Sequence, residues 1–596
     1  MQQRSYHFEP RLHERELVAI IRAIQAEDEL DARTLNRIVR RHPKDGRGAF
    51  SKSEIIRGYR FFQQRHRFDD EASFLRKVRM KPVRTQSGVA PVTVLTKPYP
   101  CPGRCIFCPN DVRMPKSYLS REPGAQRAAQ HRFDPYAQTR SRLRALYNTG
   151  HEVDKVELIV LGGTWSFYPE PYQVWFVKRC FDALNDFAGA AAPAGSGAPA
   201  ASVDFRDLAE TVAGRSLERT YNQVVADFLK GRLDGRLLDA GEAAAWDELL
   251  AAQRRNETSR ARCVGLVLET RPDHVSEEEV TRLRRLGATK VQIGFQSLSD
   301  EVLRRNRRGH DVAATRRAVR LARQAGFKVH AHWMPNLYGS DPQADVADFR
   351  RLFADPGLRP DELKVYPCSL VETAELMQRY EDGSWRPYGA EELLAVLTAC
   401  VAEVPAYCRI TRMIRDIPGD EIVTGNTVTN FREVVERELA ARGRASRDIR
   451  AREIRGGEVD LGRLRLESLD YESAIGDEVF LQYVTPEDRL VGFCRLALPR
   501  AGGFIAEIAG SALLREVHVY GAVVGIGRES GERAQHLGLG RRLVEASARR
   551  ARARGYADLA VISSVGTREY YRRLGFADGE LYQHRPLGDP RRGSAL

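Results

Sequence analysis

Long apolar runs are missing from this 596-residue chain, and none is long enough to span a bilayer. The N-terminal stretch MQQRSYHFEP has no apolar signal core. The reading is therefore a cytoplasmic protein with no membrane partner. Cysteine is scarce, with 9 in the whole chain, which excludes a disulfide scaffold and fits a reducing compartment. Six of them (Cys180, Cys263, Cys368, Cys400, Cys408 and Cys494) are scattered as buried free thiols would be. Acid is in deficit, 80 Asp and Glu against 94 Lys and Arg, and the net charge of +14 points to a polyanionic partner. The remainder is ordinary: 42% hydrophobic and 29% charged residues describe a globular protein, and the length predicts roughly three or four domains.

The shortage of acid is sharpest between Arg33 and Arg84, where Arg37, Arg40, Arg41, Lys44, Arg47, Arg57, Arg60, Arg65, Arg67, Arg76 and Lys77 meet few carboxylates. Tyr59, Phe61, Phe62 and Phe68 are interleaved with them. Basic side chains neutralise phosphates and aromatic rings stack on bases, so the segment reads as nucleic-acid binding. The alternative is a solvated helical face whose rings point into a small core. Leu17, Ile20, Ile21 and Ile24 recur at helical spacing, and residues 1–85 are predicted to be a helical, basic region.

Three of the few cysteines stand together. Cys101, Cys105 and Cys108 lie within eight residues in TKPYPCPGRCIFCPND, a C-x3-C-x2-C run on a loop bounded by prolines. Three thiolates can hold three irons of a 4Fe–4S cube and leave the fourth iron open for S-adenosylmethionine, so the spacing reads as a radical-SAM site. A structural zinc would need a fourth protein ligand, and none is near; His131 is the next histidine downstream.

The loop follows a strand, APVTVLT, and precedes alternating strands and helices: KVELIVLGG, a helix near 171–187, RCVGLVLETRPD, KVQIGFQS, FKVHAHWMP and ELKVYP. Such βα alternation predicts an α/β fold with a parallel sheet over residues 86–440, a partial (β/α) barrel with ligands at the strands' C-terminal ends. Gly162, Gly163 and Thr164 end the second strand, where bare backbone admits the methionine end of S-adenosylmethionine. Glu269, Arg271 and Gln296 end later strands and are read as cofactor or substrate contacts, with buried hydrogen-bonding groups as the alternative. His330 and His332 face one side of their strand, with Tyr366 on the next; barrel filling is the competing reading. Residues 188–260 open on the small-residue run AGAAAPAGSGAPAAS and are read as a flexible and helical insertion on the barrel's outside.

From 441 an Arg-rich linker leads into a second α/β domain ending at 596. There Gln535, Gly538 and Gly540 form Q-x-x-G-x-G at a helix start, after a strand ending in EVHVYG. Successive backbone N–H groups at such a start cradle a pyrophosphate. With the Tyr570–Tyr571 pair downstream, either hydroxyl placed to reach a thioester sulfur, the order is similar to that of GNAT acetyltransferases.

The stretches TQSGVAPVTVLTKPYPCPGRCIFCPN, FDPYAQTR, VDKVELIVLGGT, VLETRPD, GFKVHAHWMP, VHVYG and VISSVGTREYYRRLGF closely resemble the catalytic subunit of Elongator. That is the family of tRNA uridine(34) acetyltransferases, or carboxymethyluridine synthases. The likeness covers roughly residues 30–187 and 260–590. It implies that Cys101, Cys105 and Cys108 bind the cluster. It implies that Lys155 contacts acetyl-CoA from the barrel, that Glu516, Val517, His518 and Val519 run along the CoA arm, and that Leu539, Gly540 and Arg541 hold the pyrophosphate. It makes Tyr571 the thioester-side tyrosine, so that Lys155, Tyr570 and Tyr571 are the candidate catalytic residues. The matching linker GRASRDIRAREI lacks the cysteines that bind a structural zinc in the family, so no zinc is expected there. The implied function is formation of 5-carboxymethyluridine at the wobble uridine, with tRNA-dependent acetyl-CoA hydrolysis. The implied partners are a tRNA anticodon stem-loop, acetyl-CoA and an electron donor, with the chain a monomer or homodimer. Rival readings are a protein lysine acetyltransferase with a structural cluster domain, and a tRNA-binding sensor of acetyl-CoA.

Overall fold

The computed structural model describes residues 8–68, 70–81, 85, 87–189, 203–208, 219–454, 457–520, 523–525 and 538–588. The N-terminal helices are α1 (Glu14–Ala26), α2 (Ala32–Arg41), α3 (Lys52–His66) and α4 (Glu71–Val78). Their apolar faces close a small core of their own. Asp31 caps α2, and Ser51 with Glu54 forms a capping box on α3, so the local sequence fixes where these helices begin. The unit docks through Arg60, whose guanidinium lies 3.5 Å from the Tyr147 ring centroid, and through Arg79, which donates to the Gly150 carbonyl at 3.0 Å.

The predicted βα alternation builds one parallel sheet. Its strands are β1 (Ala90–Leu95), β2 (Lys155–Leu161), β3 (Arg262–Thr270), β4 (Lys290–Gln296), β5 (Lys328–Trp333), β6 (Glu362–Val365) and a seventh at Arg409–Arg412, paired in that order. Helices α5 (Pro123–Gln130), α6 (Pro135–Asn148) and α7 (Glu170–Asn185) cover its early strands. On β2, Val156, Leu158 and Val160 are buried under helices, while Lys155, Glu157, Ile159 and Leu161 face the other way, into the barrel. The sheet is open, because β1 and the seventh strand each stand at an edge of the pairing order.

Helices α8 (Tyr221–Arg232) and α9 (Trp246–Asn256) lie in the stretch read as an outside appendage. Both helices join the main core through Tyr221, Val225, Leu229 and Leu249, with α9 packed on the covering helix α7. The low-complexity run over 190–202 falls outside the described residues.

The C-terminal sheet orders the strands Arg465–Ser473, Gly476–Val484, Leu490–Pro499, Ala512–Val519, Asp558–Val561, Gln583–Pro586 and Ala577–Asp578. Its one parallel pairing joins Ala512–Leu514 to Leu559–Val561 and goes no further, so the two strands part beyond Leu514. A β-bulge at the same point sets Arg495 opposite Glu516 and Leu496 opposite Leu514, leaving Arg515 as the extra residue. Arg515 and Glu516, although consecutive, therefore both reach the barrel. Arg515 clamps Asp361 at 2.8 and 2.9 Å, and Glu516 accepts from Lys328 at 2.9 Å.

Candidate functional site

The cysteine loop leaves the C-terminal end of β1 and forms one wall of a cavity of about 210 Å³. Cys101, Cys105 and Cys108 line it with Gly162, Gly163, Thr164, Glu269, Arg271, Gln296, His332 and Tyr366. The structure thus brings together the predicted cysteines, the glycines after β2 and the polar ends of β3 and β4, which arrive from distant stretches of chain. Among the described residues no group of three or more His, Cys, Asp or Glu converges on a point that could hold one metal ion. A single zinc needs its sulfurs about 2.3 Å from one centre, whereas a cube puts each sulfur on a different iron. Three thiols on one loop at a cavity wall fit the cluster.

Two guanidiniums face the middle thiol. Arg308 donates to Cys105 Sγ at 3.1 Å, and Arg271 approaches it at 3.7 Å while gripping Asp273 at 2.8 and 2.9 Å. A hydrogen bond from Cys108 and these two cations hold the Cys105 thiol well below its ordinary range. The proton shared with Cys105, together with burial, pushes Cys108 up. Arg271 lines the cavity where a ligand contact is expected and also braces the cysteine loop. Arg308 was not singled out; the sequence signal is only its position after the helix that follows β4.

Gly162 has φ +147°, and a Cβ there would sit 1.8 Å from Thr96 Oγ1, so backbone alone fits at the rim. Thr164 Oγ1 and Cys101 Sγ lie 3.8 Å apart. Gln296 sits at φ +67° with a buried side-chain oxygen that has no hydrogen-bond partner among the described residues, an acceptor available to a ligand. Burial raises Glu269 above the usual carboxylate range, against the pull of Lys364, Arg415 and Arg308. His332 Nε2 lies 2.9 Å from Gln292 Oε1, and its ring centroid is 6.0 Å from that of Tyr366, so the strand periodicity placed these groups correctly.

The segment carrying α8 reaches the cluster loop. Asn222 accepts from the Cys101 N–H at 2.9 Å and donates to the Cys101 carbonyl at 2.8 Å. The Tyr221 hydroxyl donates to the Met114 carbonyl at 2.7 Å. Buried Lys97 pairs with buried Glu242.

A second set of predicted residues gathers at the barrel's other end. The helix Leu539–Ala553 starts at Gly538, φ +72°, beside the parted strands. A Cβ on Gly540 would lie 2.7 Å from the Tyr570 hydroxyl and 3.9 Å from a Val519 methyl. Leu539 is buried and Arg541 is exposed. Tyr571 packs into the C-terminal core, its ring 5.5 Å from that of Phe576, and the Tyr570 hydroxyl stands at the helix start. Burial pushes Tyr570 up to about 12. Glu516 and His518 face the barrel, whereas Val517 and Val519 pack towards the C-terminal core. Lys155 begins β2 on the face that carries Glu157. Gln535 lies outside the described residues.

The N-terminal aromatics resolve against the stacking reading. Tyr59, Phe62 and Phe68 are buried in the helical core, and Phe61 alone of the four is exposed, at 57%. Arg33, Arg37, Arg40, Arg41, Arg47, Arg65, Arg67 and Arg76 remain exposed. The chain's six scattered cysteines are all buried.

Two family models match the chain: the Radical SAM superfamily over residues 237–350 and the Radical_SAM C-terminal domain over 360–441. A tRNA uridine(34) acetyltransferase of Dehalococcoides mccartyi is 38% identical over 83% of this chain and 96% of its own length. Elongator complex protein 3 of Danio rerio is 34% identical over 84% of each chain. A solved structure of Methanocaldococcus infernus Elp3, lacking residues 1–46 of that protein, aligns with a TM-score of 0.65 at 31% identity, covering 84% of this chain and all of that one.

Proposed function

The chain belongs to the family of tRNA uridine(34) acetyltransferases and Elongator complex protein 3, and on that premise we propose that it builds 5-carboxymethyluridine at tRNA position 34 from acetyl-CoA. The observation that carries the reading is the joining of two sites by one barrel. A cysteine-triplet cavity lies at the strands' C-terminal ends, and a parted strand pair with a glycine-led helix lies at their N-terminal ends.

Cys101, Cys105 and Cys108 would hold the cluster, and the open backbone at Gly162 and Gly163 would receive the methionine end of S-adenosylmethionine. When bound, the pair supplies hydrogen-atom abstraction by a carbon radical. The protein's own groups do the rest. Gln296 and Glu269 offer acceptors in the cavity. Gly538, Leu539, Gly540 and Arg541 present a helix start to the CoA pyrophosphate, in the manner of GNAT acetyltransferases. Tyr570 brings a hydroxyl, still protonated at neutral pH, to the same place. Lys155 stands at the barrel mouth between the two domains. The exposed arginines of α2, α3 and α4 neutralise tRNA phosphates while the wobble base is turned out towards the cavity. Formation of the carbon–carbon bond at uridine C5 releases that carbon's hydrogen as a proton together with one electron, which replaces the electron spent on cleaving S-adenosylmethionine; water then cleaves the thioester, leaving the carboxymethyl group and free CoA.

Anaerobic reconstitution with iron, sulfide, S-adenosylmethionine, acetyl-CoA and unmodified tRNA, followed by nucleoside mass spectrometry, tests the reading. Carboxymethyluridine from the wild type and none from Cys101→Ala are expected. No product from wild type, or equal product from the variant, contradicts it; acetylated protein formed without S-adenosylmethionine would favour a lysine acetyltransferase.

A further inference from the structure

The two sites occupy opposite ends of one barrel. The C-terminal domain grips the N-terminal ends of the strands: Glu516 holds Lys328 at the start of β5, Ser564 donates to the Cys263 carbonyl near the start of β3 at 2.7 Å, and Arg515 holds Asp361 just before β6. The cluster loop stands at the other end. A group carried on coenzyme A can meet the cavity only along the barrel axis or around the outside.

The axis is lined by polar side chains. Barrels of this class fill their interior with Val, Ile and Leu; here inward positions carry Glu157, Lys290, Gln292, His330 and Glu362 instead. Lys290 Nζ lies 2.8 Å from Glu157 Oε1 and 2.8 Å from both Glu362 oxygens. Burying such a triad contributes little to stability compared with apolar packing, so its presence asks for another reason. The cavity floor is made by His332, Lys364 and Gly294. Gln292 bonds both His332 and Lys364; Glu362 lies two residues before Lys364 and Lys290 four before Gly294, so the triad begins about 7 Å below that floor and the lysine's strand position lies about 13 Å below it. Lys328, the β5 partner of Lys290, stands at the same level and reaches Glu516, which lies on one strand of the parted pair. Ion-paired side chains from three successive register levels, Glu157, then Lys290 with Lys328, then Glu362, therefore stand between the cavity and the C-terminal domain's cleft. His518 Nε2, on that strand and on the barrel side, is buried with no hydrogen-bond partner among the described residues.

We propose that the barrel axis is a binding channel for the acylated pantetheine arm of coenzyme A, closed in this conformation by the Lys290–Glu157–Glu362 triad. The proposal rests on the reading that acetyl-CoA occupies the C-terminal cleft. The arm is a polar chain with two amides, which an aliphatic interior would leave unpaired; Gln292, His330 and His332 supply partners along its length. Lys290 is the movable part, since its flexible stem can stay with Glu362 while releasing Glu157.

Ile159 and Val267 are register partners on β2 and β3, and Val267 is in turn the partner of Lys290, so both stand at the level of the triad's lysine, and they provide the test. The full-length Ile159→Cys protein is incubated with CoA disulfide. Its thiolate attacks one sulfur, the arm becomes bonded to position 159, and the second CoA leaves as a thiolate. Peptide mapping is expected to find CoA at position 159, with acetyl-CoA suppressing the exchange and an added Val267→Phe reducing its rate about tenfold. Val267→Phe alone is expected to keep acetyl-CoA affinity while cutting carboxymethyluridine kcat about tenfold. If that variant no longer binds acetyl-CoA, Ile159→Phe puts the bulk on the adjacent strand and is read instead. No CoA at position 159 in a protein that binds acetyl-CoA by calorimetry overturns the channel and leaves the proposed function standing, as does full product from the plugged barrel. A wild type that binds no acetyl-CoA overturns both.

Discussion

The three cysteines act as they do because of residues far from them in sequence. Arg308 and Arg271 put two positive charges on Cys105, and Gly162 leaves the rim bare. Gly162→Ala sets a Cβ 1.8 Å from Thr96 Oγ1 at a φ of +147°. It is expected to cost about 1–3 kcal/mol of stability, read from a denaturant midpoint, and to weaken S-adenosylmethionine binding. At the other end, Gly540→Ala would press on the Tyr570 hydroxyl at 2.7 Å. Calorimetry should show weaker acetyl-CoA binding by about tenfold, largely restored by adding Tyr570→Phe, which removes the clashing oxygen. A double variant no better than the single one would show that the hydroxyl is not the obstacle. The cysteine spacing and the glycines were legible in the sequence because their chemistry is local. Arg308 was not, because its role is set by a contact to a thiol 203 residues away.

Among the elements, the strands of the barrel were legible from apolar runs ended by glycine or polar residues, and the helix after β2 fell within two residues of its predicted ends. The segment carrying α8 and α9 was not. Its composition resembles a linker, and what ties it down is a pair of hydrogen bonds from Asn222 to the backbone of Cys101, which no periodicity announces. The helical N-terminus was legible as helix, but its rings were assigned to the wrong side. Tyr59, Phe62 and Phe68 recur at the spacing that closes a four-helix core. Asn222→Ala should free the first cysteine of the loop. Iron loss to a chelator from the reconstituted protein is expected to accelerate about tenfold, the equivalent of one or two hydrogen bonds. Loss at the wild-type rate would mean that α8 is packing alone.

For the whole molecule, the junction of the two domains is a buried field of charge. Asp361 is held by Arg323, Arg495 and Arg515, and Glu478 by Arg323 and Arg515. Burial alone would raise Glu362 and Glu516, but Lys290 and Lys328 outweigh it for Glu362, as do Lys328 and Arg495 for Glu516, and both are held at about 2 against an ordinary 4.5. A lowered carboxylate stabilises the fold above its ordinary value, and that contribution fades as pH falls from 4.5 towards 2. His518 is lowered by burial to about 4 from 6.5, so the unfolded chain binds the extra proton between those values. Stability should therefore decline from about pH 6.5 downward and more steeply below 4.5, followed by urea midpoints across that range. A midpoint that rises on acidification through this window would contradict the assignment. None of this junction was legible in the sequence beyond the inference that a barrel lysine near CoA requires the domains to face each other.

The central claim is that one carbon-bound hydrogen of the acetyl group leaves it inside this protein. Anaerobic turnover with tRNA, S-adenosylmethionine and acetyl-CoA deuterated in its methyl group measures that step directly, by the mass of the 5′-deoxyadenosine formed. The account predicts deuterium in 5′-deoxyadenosine, and only when tRNA and the cluster are both present. Unlabelled 5′-deoxyadenosine accompanying deuterated carboxymethyluridine would contradict it.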